Sequence, residues 1–336
     1  MTGTQRSNPL RRAALAAGAV ALVAALVGAT PGTISEASDA VSCRDRVTPE
    51  GRVLAFSNNA YETALEDALD SEDMDRMVGR TLQMTFPYVP DIILLQEIRA
   101  TAVERVVTML NEQTPCDFAV VANAGRGAWS WETPSRLIGR DTAIVVNSDS
   151  MTWGVSGYLT HEYGPEQAAP GQPVKVKMTA WAEILERDDP SSADEPLHLL
   201  TASVHFPRTQ NFVDEDVSSA LKTDFARDIV DHFDSVLPDG SPEDDTIHLI
   251  GGDFNNFRYE GRWRNQTSLY RLMTEEYGYT DGFIEHSKGK PNPIDYLFST
   301  GESLGAAADV STHEETDPFF YSNHDLRWSV ISPYES

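Results

Sequence analysis

Apolar residues fall along this chain in short, dense runs, each closed by a cluster of polar ones. Residues 52–56 (RVLAF) predict a buried strand, because the run is short, apolar and followed by polar Ser57-Asn58-Asn59. Met74, Met77, Val78 and Leu82 then recur at helical spacing among acidic residues. Pro90-Asp91 ends that helix region, and Ile92-Ile93-Leu94-Leu95 forms a second buried strand that terminates in Gln96-Glu97. Val103, Val106, Val107 and Leu110 give the next helix its apolar stripe. Further strands are expected at 117–122, 141–147, 174–185, 197–204, 246–251, 294–299 and 326–332, with helices near 213–236 and 266–277. Continuous apolar runs are mixed with alternation, as in Lys175-Val176-Lys177-Met178. Strands outnumber helices, so the expected fold is α/β: a four-layered α/β/β/α sandwich of two packed mixed sheets flanked by helices. A doubly wound parallel sheet is the competing architecture. It needs helices more regularly interleaved than they are between 141 and 204.

The first residues read differently. Arg6, Arg11 and Arg12 precede a small, apolar run from Ala13 to Val27, and small residues follow at Val27-Gly28-Ala29 and Ser35-Glu36-Ala37. Charge, short apolar stretch and small-residue cleavage site, in that order, predict a secretory signal over residues 1–37. The run is shorter than the roughly 20 residues of a transmembrane helix, so no stable membrane insertion is expected after cleavage. Residues 38–50 then form an N-terminal extension, and 51–336 a single domain. The expected product is a secreted, extracellular monomer. Its two cysteines, Cys43 and Cys116, suit an oxidising compartment and predict a disulfide between two strand starts.

The formal charge is −26, and losing three Arg and one Glu with residues 1–37 leaves −28. Such acidity repels polyanions at long range and excludes a protein that grips nucleic acid by a broad basic face. It leaves room for an enzyme that holds a phosphate briefly, through a metal ion and a few local arginines.

One buried strand after another ends in a group that can bind a cation or move a proton. Glu97 follows IILLQ, His205 follows LLTASV, Asp253 and Asn255 follow IHLIGG, and Asp295 follows a Pro-flanked Ile. Each has a bland explanation alone: a helix-start acid for Glu97, a solvated loop residue for His205, turn chemistry for GGDFNN. Together they are unlike a core, because an unpaired polar group buried there costs several kcal/mol, of order 2–7. Convergence at one rim around a cation and an anionic substrate explains all of them.

The order of the motifs carries a resemblance. Pro90-Asp91-Ile92-Ile93-Leu94-Leu95-Gln96-Glu97 resembles the "PDIIxLQE" segment of the DNase I-like endonuclease/exonuclease/phosphatase family. Ser203-Val204-His205-Phe206-Pro207 is similar to that family's catalytic histidine motif, and Gly251-Gly252-Asp253-Phe254-Asn255 to its "GDFN" signature. Ile294-Asp295-Tyr296 resembles "IDY", and Tyr321-Ser322-Asn323-His324 the terminal "SDH", with Asn323 standing where the family has an acid. The first-strand asparagine aligns best with Asn59, although Asn58 and Ser57 compete for the place.

The resemblance implies a phosphoesterase using Mg²⁺, or Mn²⁺ or Ca²⁺. Glu97 would hold the ion with Asn59 and Asn323. His205, Asp253, Asn255, Asp295 and His324 would form the catalytic set. Arg140, together with Arg258 and Arg262 from the Phe257–Arg264 stretch of three Arg and three aromatics, would bind substrate. The expected activity is hydrolysis of phosphodiester bonds, most directly in DNA or RNA. Alternatives are a sphingomyelinase-like phosphodiesterase or phosphatase acting on lipid head groups or small phosphate esters, and a non-catalytic phosphate-binding module.

Overall fold

The structure is a computed structural model, and it describes residues 42–43, 46–48, 51–60, 71–124, 140–172, 176–187, 196–236, 246–256, 259–260, 265–281, 294–308 and 326–333. The secretory signal over residues 1–37 and most of the 38–50 extension therefore lie outside the described residues. In chain order the strands are β1 (Val53–Asn59), β2 (Ile92–Arg99), β3 (Phe118–Asn123), β4 (Arg140–Asn147), β5 (Met151–His161), β6 (Lys177–Glu186) and β7 (His198–His205). After them come β8 (Thr246–Asp253), the two-residue β9 (Tyr259–Glu260), β10 (Asn265–Gln266) and β11 (Thr280–Asp281), then β12 (Asp295–Ser299), β13 (Glu302–Ala308) and β14 (Leu326–Ser332). The helices are α1 (Ser71–Thr85), α2 (Ala100–Gln113), α3 (Glu215–Val236) and the single turn α4 (Ser268–Arg271).

Two six-stranded mixed sheets carry the fold, in the orders β13-β14-β1-β2-β4-β3 and β11-β12-β8-β7-β6-β5. Each has one parallel pair at its centre, β1 with β2 and β7 with β8, and every other pairing is antiparallel. The period-two alternation of a strand explains how three apolar layers arise from these runs. Val53 and Ala55 of β1, with Ile92 and Leu94 of β2, face Leu199 and Leu249 of the other sheet. Leu54, Phe56, Ile93 and Leu95, one residue out of phase, pack under α1 and α2. The far face of the second sheet packs Leu200, Val204 and Ile250 against Phe225, Ile229 and Phe233 of α3. Helix, sheet, sheet, helix is the resulting order of layers, the expected α/β/β/α sandwich. Strands buried on both faces are the ones whose sequences read as unbroken apolar runs.

A disulfide joins Cys43, in the turn before β1, to Cys116 ahead of β3, with Cα atoms 4.7 Å apart. Asp91, the residue before β2, is buried: its Oδ2 accepts from Thr48 Oγ1 and Leu54 N, both at 2.8 Å, and its Oδ1 from Ser150 Oγ at 2.6 Å. Beyond the two-residue β9, β10 and β11, two longer strands lie outside the expected ranges. β5 lies at a sheet edge with most of its middle exposed, and β13 (ESLGAAA) has few residues that favour strands. The helix expected over 266–277 is instead the single turn α4 followed by a π-helical turn, Leu272–Glu276.

Candidate active site

Because β1 and β2 run parallel, and β7 and β8 do too, their C-terminal ends deliver Asn59, Glu97, His205 and Asp253 to one rim of the sandwich. His205 stands opposite Asp253 in the β7–β8 ladder, and Asp295, the first residue of β12, stands opposite Asp253 on the other side. A bulge in β2 between Leu95 and Ile98 turns Glu97 out of the regular alternation. Glu97 has φ 49° and Asn255 has φ 47°, left-handed values that are uncommon for residues with a side chain. Strain of this kind persists only where surrounding structure enforces it, and it concentrates at functional sites.

The side chains meet closely. The Asn59 amide donates to Glu97 Oε1 at 3.4 Å and to Asp253 Oδ2 at 3.2 Å. Ser57 instead lies 3.4 Å from the Gln96 side chain. His205 Nε2 is 3.3 Å from Glu97 Oε1 and 3.9 Å from Asp253 Oδ2. Asn255 folds back on the same carboxylate, its backbone N–H donating to Asp253 Oδ1 at 2.7 Å and its side chain to Oδ2 at 3.0 Å. That side chain also donates to the Phe206 carbonyl at 2.8 Å, which ties the loop after β8 to the loop after β7. Beneath the rim, Gln96 donates to Ser203 Oγ at 3.0 Å, and Ser203 donates to the Leu95 carbonyl at 2.9 Å, joining the two sheets.

Three cations surround these acids, and sequence reasoning assigned a role to none of them. Lys177 Nζ lies 2.9 Å from His205 Nδ1. The same Nζ lies 3.4 Å from His205 Nε2, so the lysine sits against the imidazole on the side of both ring nitrogens. Arg208 Nη2 is 3.8 Å from Glu97 Oε1, with its side chain 44% exposed at the mouth of the site. Lys222 of α3 is 0% exposed, and burial pushes its ammonium down to about 8 against the opposing pull of the Asp253 charge. One sequence signal was available: Lys222 falls in register with Ser218, Phe225, Ala226 and Ile229, a cation on the apolar stripe of its helix.

The remaining candidates are placed less fully. Asp295 is 4% exposed at the rim. His324 and Asn323 lie outside the described residues, as do Arg258 and Arg262. Arg140 opens β4, its backbone opposite Arg99, and its side chain is outside the described set.

Glu97, His205 and Asp253 each offer a ligand atom, and the three atoms lie within 4.8 Å of one another. Two carboxylates with an amide alongside suit a hard divalent cation such as Mg²⁺ or Ca²⁺, and the Asn59 side chain can present its oxygen to an ion as readily as its N–H to a carboxylate. These residues fit the metal that the motifs imply.

An endonuclease/exonuclease/phosphatase protein from Bacteroides vulgatus superposes with a TM-score of 0.55 at 15% identity, over 84% of this chain and 99% of that one. The chain has the endonuclease/exonuclease/phosphatase fold. The mannosyl-6-phosphatase of Bacteroides thetaiotaomicron shares this fold (TM-score 0.52, 11% identity, 83% and 99% covered). So does the catalytic domain of human Nocturnin, solved with a bound sulfate (TM-score 0.51, 11% identity, 84% and 95% covered). No family model matches the sequence, and no curated protein is similar to it. The endonuclease/exonuclease/phosphatase fold hosts more than one reaction, so the chemistry of this chain has to be argued from its own rim.

Proposed function

We propose that this protein is an exported, divalent-metal-dependent phosphoesterase that hydrolyses phosphodiester bonds in DNA or RNA. The observation that carries this reading is the meeting of Glu97, His205 and Asp253, from three strands of two sheets, within ligand distance of one another. Glu97 and Asn59 would hold the cation, with Asp295 and Asn323 beside them. When bound, the ion supplies Lewis-acid polarisation of a phosphoryl oxygen. Asp253, held by two donors from Asn255, orients the attacking water and takes its proton. His205, with Lys177 against its ring, would hydrogen-bond a phosphoryl oxygen. Arg208, beside Glu97 at the mouth of the site, would bind the substrate phosphate. By the resemblance, His324 would supply the proton to the leaving oxygen.

Export is supported by the disulfide, which persists in oxidising compartments. Among the described residues no helix is long and apolar enough to cross a membrane. A second reading, hydrolysis of a lipid head group or a small phosphate ester, is favoured by the charge of −26, which opposes approach of a long polyanion.

The test incubates the protein, freed of residues 1–37, with Mg²⁺ or Mn²⁺ and plasmid DNA, RNA, sphingomyelin vesicles or bis(p-nitrophenyl) phosphate, each with and without EDTA. Metal-dependent cleavage of nucleic acid is expected. Turnover of the bis-ester or lipid alone would replace the nuclease reading by the second one, and activity indifferent to EDTA would remove the metal. Glu97→Gln is expected to lose about 100-fold or more in kcat with its fold intact, a magnitude of the kind seen when one electrostatic group of a site is removed.

A further inference from the structure

The buried lysine on α3 has a place in the site that the metal and proton roles above leave unused. We propose that Lys222 is a positioning residue that clamps the two catalytic loops together from behind and holds Asn255 in the backbone conformation that aims it at Asp253. This rests on the reading of Asp253 and Asn255 as water and phosphate handlers.

Lys222 is 0% exposed and reaches out from the face of α3 that packs on the second sheet. Its Nζ donates to the backbone carbonyl of Asn255 and, at 3.0 Å, to Thr209 Oγ1. Thr209 opens the 3₁₀ turn Thr209–Asn211, four residues beyond His205, and Asn255 lies two residues beyond Asp253. One ammonium thus joins the loop leaving β7 to the loop leaving β8. The carbonyl it holds belongs to a residue at φ 47°, a left-handed conformation that Asn adopts more readily than other side-chain residues and that leaves this carbonyl turned toward the lysine. The support has a second half on the opposite side: the Asn255 amide donates to Phe206 O at 2.8 Å. With the carbonyl fixed by Lys222 and the amide by Phe206, both Asn255 donors are left pointing at the two oxygens of Asp253. Burying a lysine is unfavourable for folding, since desolvation of the charge outweighs what two neutral oxygens return. A residue kept under that penalty where the two rim loops meet is better explained by the site than by the core.

The experiment compares wild type with Lys222→Met, which keeps the length and apolar stem, and Lys222→Gln, which keeps an N–H donor without the charge. Steady-state kinetics on bis(p-nitrophenyl) phosphate with Mg²⁺ are read beside backbone amide exchange of residues 251–256 and thermal unfolding. Lys222→Met is expected to lose about 10- to 100-fold in kcat with KM within about 2-fold, because misplacement of a catalytic group acts on the chemical step. Its Tm is expected to hold or rise, while the amides of 253–256 exchange faster. Lys222→Gln is expected to fall between the two in kcat and in exchange. If Lys222→Met unfolds, the Gln variant carries the same comparison. Unchanged exchange over 253–256 in the folded variant overturns the clamp whether or not a substrate is turned over, and so does unchanged kcat, or a raised KM with kcat intact. Full activity of Asp253→Ala would instead overturn the functional reading on which the clamp rests.

Discussion

Replacing Gly252 by Ala tests the architecture of the rim with a single methyl group. Gly252 sits at φ 138°, a conformation that residues with a Cβ rarely adopt. A Cβ built there would lie 2.1 Å from the Val204 carbonyl oxygen and 3.0 Å from the Val204 carbonyl carbon and nitrogen. Val204 is the partner of Gly252 in the parallel β7–β8 ladder, and the next pair along is His205 with Asp253. All three atoms are backbone, so no side chain can swing aside. Real Cβ atoms essentially never come closer than 3.0 Å, so the two strands must part by about 0.9 Å, the difference between that limit and 2.1 Å. Adopting the glycine-only conformation adds roughly 1–3 kcal/mol of strain. The displacement falls one residue before the two catalytic strand ends, and a misplacement of about 1 Å at reacting groups costs on the order of 100-fold in rate. Gly252→Ala should therefore unfold earlier, by roughly 2–4 °C per kcal/mol of strain, and lose kcat far beyond what that lower stability explains at 20 °C. The neighbouring Gly251→Ala is the control. Its Cβ would meet the methyl ends of Leu297 and Leu94, at 2.5 and 2.6 Å, which are side chains that can rotate. That variant should lose about 1–3 kcal/mol by overpacking the layer between the sheets, with a smaller loss of activity. Circular dichroism melts and bis(p-nitrophenyl) phosphate hydrolysis read both. A Gly252→Ala protein with wild-type kcat and Tm, or a Gly251→Ala protein that is the less active of the two, would refute the reasoning.

Reduction of the Cys43–Cys116 disulfide releases a loop closed across 73 residues, worth about 4 kcal/mol in the chain-entropy treatment. Urea unfolding with and without dithiothreitol should show a lower midpoint on reduction, and equal midpoints would contradict it. Burial raises the Asp91 carboxyl from 3.8 to about 6, only partly offset by the hydrogen bonds from Ser150, Leu54 and Thr48. The folded-state value is above the unfolded one, so this contribution to stability is fully present below about pH 4 and is lost as pH rises through about 6. Asp91→Asn should remove that slope, gaining on wild type by an amount on the order of 3 kcal/mol between pH 4 and 7. Parallel urea titrations across that range check it, and two curves with the same pH dependence would show that Asp91 is not the group responsible.

The double-layered strands were legible because burial on both faces leaves an unbroken apolar run, as in Ile92–Leu95 and Ala143–Val146. For the same reason their polar ends stood out: Glu97, His205 and Asp253 interrupt patterns with no other room for charge. β5 was not legible, because an edge strand with exposed positions and two glycines carries neither the apolar run nor clean alternation. Two of the three cations of the site were hidden for a related reason. Lys177 lies in an alternating stretch where a charged residue reads as the solvent face, and Arg208 lies in a loop where charge is ordinary. Only the register of β6 and β7 reveals that Lys177 meets His205. Likewise Gln96 and Ser203, 107 residues apart, look like strand-end polars until the sheets are stacked and the two hydrogen-bond across them.

The placing of those cations also resolves the tension between an acidic chain and an anionic substrate. At −26, the field of the whole protein opposes a phosphate at distances where salt has not yet screened it, about 8–10 Å at ordinary ionic strength. Inside that range local charges dominate. Lys177 on His205, Arg208 on Glu97 and Lys222 behind Asp253 and Asn255 bring positive charge to within hydrogen-bond or ion-pair distance of the rim. Each sits against a partner that keeps it oriented, so little reorganisation is needed when a phosphate arrives. An anionic ester small enough to enter the rim feels these three groups more than the remote acids. A long polyanion feels both, and its capture should strengthen as salt rises from about 10 mM, where the Debye length is near 30 Å, to about 150 mM. A basic-faced nuclease would weaken over the same range through counterion release. The sign of the salt dependence is thus set by where the charges lie, and not by their sum.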